Sequence, residues 1–297
     1  MSNTSDATRV SGGWLATLRR SAAEETPLKR GAVRVLRPVV PLLVPIALFL
    51  AWFLVTREGV TSPLIIPPPE DVFDTAVAIR SELLSGLWVS VQMVVTGFLV
   101  GGILGTLVGL LFGYSKVLRS LFEFTVDVIR PVPLFALIPL FILWFGVGRL
   151  PQIVLVALGV FLIMSLATIE SVRNVDQVYV RAALTFGASR QQIYRTVVIP
   201  AIMPMMLSGL RYSVAWAWGL DVAAELIGSQ EGLGYIMVVR EQYLDTAGIV
   251  LIVIIFSALA IVGDRLMQRL ALRLTRWTGR ATDTGLIRDM VGGARSQ

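Results

Sequence analysis

Apolar residues in this chain come in long runs, set apart by short polar and basic stretches. The runs cover residues 39–55, 87–112, 121–144, 152–169, 202–226 and 249–267. Each is near the ~20 residues that a helix needs to cross a bilayer. The pattern predicts an all-α polytopic membrane protein with six transmembrane helices in residues 38–268, between a basic tail at 1–37 and a second tail at 269–297. The first run follows Pro38 and carries Trp52 near its far end, where an interfacial aromatic belongs. Ser62-Pro63 and Pro67-Pro68-Pro69 predict extended backbone, and residues 70–81 a surface helix. The third run is interrupted by Arg130-Pro131-Val132-Pro133, which breaks its helix. In the second run Gly97, Gly101, Gly105, Gly109 and Gly113 recur every four residues. That stripe predicts a close helix–helix approach.

Composition agrees with the pattern. Of 297 residues 55% are hydrophobic and 15% charged, where a soluble domain carries about 25% charge. There is no Cys and no His. Thiol chemistry, most zinc sites and the commonest general base are therefore excluded, and no metal site is expected. The net charge is +6. In a soluble protein that would suggest nucleic acid. Here the basic residues flank the apolar runs, which points to topology and anionic lipid. Segments 1–37, 113–120, 170–200 and 264–297 hold 20 of the 26 Lys and Arg, and segments 56–85, 146–151 and 228–247 hold four. Basic residues favour the cytoplasmic side, so both tails and the 170–200 segment are expected there. Residues 1–37 lack the apolar core and cleavage site of a signal peptide. They read as a polar tail, or in part as an interfacial helix around residues 14–20.

The longest polar-faced segment within the apolar part is 181–200, RAALTFGASRQQIYRTVVIP. Ala182 and Ala183 favour helix, Gly187 interrupts it, and Ser189 is placed to cap a second short helix. Ile193, Tyr194 and Val197 offer apolar anchors, and Pro200 closes the segment. One reading is a pair of short helices offered to a partner, and the other is a plain connection between two spans.

Ionisable residues inside spans are functional candidates. Arg211, Asp221 and Glu225 lie on the fifth span with Tyr212, Trp216 and Trp218, and Arg130 lies on the third, where Asp127 is placed to pair with it. Asp221 and Glu225 are four apart and share a helix face. Both are candidates to line a pathway. Equally, Glu225 could bond the loop that follows it, and Arg211 could extend its stem to the interface.

Several pieces, in order, resemble the permeases of bacterial ABC importers of the taurine/sulfonate/nitrate branch. They are Ile66-Pro67-Pro68-Pro69-Glu70, Arg130-Pro131-Val132-Pro133, residues 139–148 (PLFILWFGVG), the 181–200 segment, Gly209-Leu210-Arg211, Ala223-Ala224-Glu225 and Gly232-Leu233-Gly234-Tyr235. The 181–200 segment resembles the "EAA loop" of those permeases, with Arg181 where the name implies Glu. The resemblance covers about residues 62–277. It implies the type I importer permease fold, with 170–200 as the loop that docks on cytoplasmic ATPase subunits. Arg181, Ala182, Ala183, Gly187, Ala188, Ser189, Arg190, Tyr194 and Pro200 would make that contact. It further implies a second permease copy, an extracytoplasmic substrate-binding protein, and ATP and Mg held by the ATPases. The chain has no G-x-x-x-x-G-K-[ST] phosphate loop and is not itself expected to be an enzyme. Asp221 departs from the family, where an uncharged residue is expected. A carboxylate there would face water on the pathway, disfavour a bare anion and favour a zwitterion or a cationic nitrogenous solute. The rival classes are an ion-driven secondary transporter, a membrane enzyme using Asp221 and Glu225, and a scaffold or receptor that transports nothing.

Overall fold

The computed structural model describes residues 40–57, 61–129 and 132–275. The chain divides into two compact units between Pro69 and Glu70. In the first, helix α1 (Val40–Arg57) carries Pro45 within its length. Its Trp52 Nε1 donates to the Pro67 carbonyl at 2.9 Å; residues 63–65, expected to be extended, instead form a turn closed by the Ile65 amide on the Ser62 carbonyl at 2.8 Å, and Pro69 begins a helix.

In the second unit the described residues are helical, in the order α2 (Pro69–Ala78), α3 (Arg80–Tyr114), α4 (Lys116–Ile129), a 3₁₀ turn (Leu134–Leu137) leading into α5 (Ile138–Phe145), α6 (Arg149–Arg173), α7 (Gln177–Thr185), α8 (Arg190–Ile193), a π turn (Tyr194–Val198), α9 (Ile199–Gly228), α10 (Leu233–Gln242) and α11 (Thr246–Leu274). Among the described residues four helices are long and apolar enough to cross a membrane: Arg80–Tyr114, Arg149–Arg173, Arg190–Gly228 and Thr246–Leu274. The other two expected spans are shorter apolar helices, Leu43–Arg57 and Leu134–Phe145. The third span is thus not one helix. Pro133 sits in extended backbone (φ −67°, ψ 113°), and α4 and α5 lie on either side of the break.

α3 and α6 run parallel, because the α4–α5 passage returns the chain between them. Their contact is the glycine stripe. Gly97 faces Val156, Gly105 faces Phe161 and Met164, and Gly109 faces Thr168. At Gly101 an added Cβ would strike the Ala157 carbonyl, so the two backbones touch. α9 runs antiparallel against α6, with Leu220 over Gly159 and Gly209 over Ala167. α11 packs antiparallel on α9 through Trp218 and Phe256, whose ring centroids are 6.3 Å apart. One end of this bundle, the Gly232 end, is where α3 and α6 begin and α9 finishes. The Gly187 end is the opposite one.

Candidate functional site

At the Gly187 end, the 177–198 segment forms a tight cap. Asp176 starts α7 by accepting the Val178 amide at 2.9 Å. The helix stops in a Schellman arrangement, with the Ala188 amide on the Ala183 carbonyl and the Gly187 amide on the Leu184 carbonyl. That motif needs a left-handed residue, and Gly187 has φ +76° with open space around it. Ser189 then opens α8 in a capping box with Gln192. The chain passes into α9 through the π turn. Pro200 has no N–H to give to the preceding turn, which is where the helix widens. Ile193, Val198 and Ile202 are buried beneath the cap, with Ala183, Ala188 and Tyr194 packed on them. The Tyr194 hydroxyl donates to the Leu110 carbonyl at 2.7 Å and ties the cap to α3. Arg181, Ala182, Ser189 and Arg190 remain exposed. The tip is Phe186, at 89% exposure.

A cleft of about 590 Å³ lies between the 3₁₀ turn, α6 and α9. Gly159, Leu134 and Trp216 meet at one end, Tyr212 lies one helical turn from Trp216 along α9, and Glu170 lies beyond it, toward the Gly187 end. Phe135 and Trp216 pack on each other in its lining, with ring centroids 6.1 Å apart and planes tilted by 54°.

The model of the family described as "Binding-protein-dependent transport system inner membrane component" matches residues 97–276, and so takes in the cap, the cleft and the chain from the middle of α3 through α11. The chain belongs to that family. The permease is 36% identical over 232 residues to a probable ABC transporter permease protein of Brucella abortus, covering 77% of this chain and 92% of that one. It is 34% identical over 243 residues to the taurine transport system permease protein TauC of Escherichia coli (78% and 87%). With the putative aliphatic sulfonates transport permease protein SsuC of Bacillus subtilis it shares 32% over 238 residues (80% and 86%). Among solved structures, an inward-facing MetNI methionine ABC transporter shares the fold at TM-score 0.53 and 20% identity, covering 65% of this chain and 97% of that one. An amino acid ABC transporter does so at TM-score 0.56 and 17% identity (69% and 97%). The permease is therefore a membrane-integral component of an ABC importer.

The residues singled out on α9 of the permease do not form one site. Trp216 lines the cleft. Trp218, two positions on, is turned to the other side against Phe256. Arg211 makes a two-pronged ion pair with Asp264 of α11, at 2.9 and 3.0 Å from Nη2. Asp221 is fully buried, and neither of its oxygens has a hydrogen-bond partner among the described residues. The expectation that it faces water on a pathway is corrected: at this register its side chain points among the helices of its own chain. Glu225, also buried, has a local task. Its Oε1 accepts from Ser90 Oγ at 2.6 Å and its Oε2 from the Gly234 amide at 2.5 Å, while Ser90 Oγ accepts the Leu233 amide at 2.9 Å. It caps the start of α10 and pins it to α3, which is the loop-bonding reading of this residue. Arg130 lies outside the described residues, and with it the Asp127–Arg130 pairing.

Sequence reasoning left Phe186, Glu170 and Phe135 aside. Phe186 carried a signal, being a large aromatic directly before the turn glycine. Glu170 falls just past the apolar run at 152–169, but the helix continues through it to Arg173. Two ion pairs close the Gly232 end: Arg240 with Glu82, and Arg149 with Glu231, where Arg149 Nη2 is 2.6 Å from Oε2. The hydrogen bond from Arg149 holds the Glu231 carboxyl below the usual carboxylate range.

Proposed function

We propose that the permease forms the translocation pathway of an ATP-driven importer for a small organic solute, sulfonate- or taurine-like or nitrogen-containing. ATP and Mg would be held by a pair of cytoplasmic ATPase subunits, and an extracytoplasmic binding protein would deliver the solute. Residues 170–200 are the coupling element. The observation that carries this reading is the cap itself. Two short helices are fixed by a Schellman turn and a capping box, lie on their own small core, and present a bare Phe186. An exposed aromatic on a rigid cap suits a hydrophobic groove in a partner. A plain connecting loop has no use for it. The cap runs into α9 without a break, so a displacement of the cap is passed to the α9 wall of the cleft.

The distribution of Lys and Arg supports a bacterial inner-membrane protein with both termini in the cytoplasm. Two ATPases need two docking loops, and this chain has one, so the assembly holds a second copy of the permease. The test is co-expression with the ATPase, followed by co-purification, copy counting by mass, and ATP-driven uptake. Phe186→Ala and Gly187→Val are expected to lose the ATPase or the uptake while still inserting. Full uptake by both variants, or one permease per assembly, would overturn the reading.

A further inference from the structure

We infer that the cleft between α6 and α9 is a binding site for an organic cation, or for the cationic nitrogen of a zwitterion, caged by Phe135, Tyr212 and Trp216. Tyr212 and Trp216 are one helical turn apart on α9 and share a face. Phe135 closes from the 3₁₀ turn, with its ring centroid 6.1 Å from that of Trp216. All three line the cleft and remain partly or largely exposed to it. Ring faces carry negative quadrupole charge and attract a cation within about 6 Å. The charges agree with the rings. Among the described lining residues there is no Lys or Arg, and the one ionisable side chain besides tyrosine is Glu170. Its carboxylate has no ion-pair partner among the described residues. Glu170 is 11 residues beyond Gly159, about 16 Å along α6, toward the Gly187 end. A solute nitrogen resting on the rings is therefore drawn toward that end, and a bare anion is opposed there.

The size also suits an organic solute. A volume of about 590 Å³ falls in the range of small-molecule pockets and leaves room for more than a bare inorganic ion. The rest of the lining is aliphatic, from Leu134, Leu162, Ile163 and Leu166, and receives a carbon skeleton. The nitrogenous solute once tied to Asp221 thus has its ground in a different set of residues.

The inference rests on the permease reading, but its test does not use the ATPase. The full chain in lipid nanodiscs is titrated with choline, tetramethylammonium and methanesulfonate, and saturation transfer from protein to the probe methyl protons is measured. Choline and tetramethylammonium are expected to give saturable transfer, and methanesulfonate none that saturates. Trp216→Ala should weaken choline about tenfold, the size of one desolvated cation–ring contact. Trp216→Phe, which keeps a ring, should hold most of the binding, and Glu170→Gln should weaken choline but not a neutral isostere. These side chains are not core residues, so unfolding temperatures should stay at the wild-type value and separate lost binding from lost fold. Choline transfer that is absent, or unchanged in Trp216→Ala, overturns the inference. So does methanesulfonate binding that is lost with Trp216. Absence of ATPase co-purification with normal choline binding would overturn the proposed coupling and leave the cage standing.

Discussion

Replacing Glu225 by alanine takes both acceptors out of a place that water does not reach. Glu225 is 1% exposed and Ser90 is fully buried. The Gly234 amide and the Ser90 hydroxyl then have nothing to donate to. A buried donor left unpaired costs about 1–3 kcal/mol, so the two together cost roughly 2–6 kcal/mol. The loss falls on the junction of α9, α10 and α3, because Ser90 also accepts the Leu233 amide. Glu225→Gln is the finer probe. Its single oxygen can serve one of the two donors, while its NH₂ is turned toward the other, so the loss should be about half that of alanine. In the native protein a Cβ at Gly232 or Gly234 would run into the Glu225 side chain, so both positions are held to glycine while Glu225 is in place. The assay is thermal unfolding in detergent, with hydrogen exchange at the Leu233 and Gly234 amides. The expected order of stability is wild type, then Gln, then Ala, with exchange at both amides accelerated in Ala. Wild-type unfolding of Glu225→Ala, with both amides as slow as before, would refute the reasoning.

The seam between α3 and α6 predicts a contrast between neighbours. Gly101→Ala pushes a methyl into the Ala157 backbone and should destabilise by about 1–3 kcal/mol, whereas Gly102→Ala meets only side chains near 4 Å and should be tolerated; equal unfolding temperatures would refute the contact. Gly187→Ala has space but the wrong φ, so it should cost about 1 kcal/mol in the cap, read as faster proteolysis of residues 181–195, with insertion unchanged. Glu231 has its folded pKa below an unfolded value of about 4.3, so its contribution is present above that pH and fades as pH falls through the folded value. Glu231→Gln should flatten this acid limb and change little at pH 7, because the pair with Arg149 is exposed and screened. Asp221→Asn keeps the shape of a group with no partner among the described residues, so the unfolding temperature should hold or rise; a clear fall would reveal a partner.

What the chain disclosed depended on the range of the interaction. The cap was legible because its signals are local. A glycine that must be left-handed, a serine three residues before a glutamine, and alanines in a short helix all act within one or two turns, and Gly187, Ser189 and Ala183 occur where those signals place them. The glycine stripe was legible for the same reason, since a period of four is a face, although nothing in it named α6 as the partner. The charged residues of α9 were legible only in part: a bond from Glu225 to the following loop could be read, but the helices that each residue meets could not. Arg211, Asp221 and Glu225 look alike to a reading that sees only an ionisable group in an apolar run. What separates them is which helix each one meets: Asp264 on α11 for Arg211, and Ser90 on α3 with the α10 backbone for Glu225. Those partners are 53, 135 and nine residues away. Family resemblance had marked Ala223-Ala224-Glu225 and Gly232-Leu233-Gly234-Tyr235 as separate pieces. The structure shows them to be one device, a carboxylate and the two glycines that make room for it.

The two ends of the bundle are built for different mechanical behaviour. At the Gly232 end, three polar ties join four helices: Glu225 and Ser90 hold α9, α3 and α10, Arg240 with Glu82 joins α10 to α3, and Arg149 with Glu231 joins α6 to the turn before α10. Toward the Gly187 end the helices are tied, among the described residues, by Tyr194 to Leu110 and Arg211 to Asp264. The seam of α3 and α6 is backbone against backbone, so those two helices shift together. The α6–α9 contact is made by side chains, with Leu220 over Gly159 and Ala167 against Gly209, and it holds the cleft. A push on Phe186 enters α9 directly through the π turn. With the far end pinned, α9 can respond by tilting against α6, and its displacement grows from Trp216 through Tyr212 toward Ile199, at the Glu170 end of the cleft. On the proposed topology that is the cytoplasmic mouth of the cleft. The same stroke that docks the cap would then widen or narrow the exit and leave the Glu225 junction still.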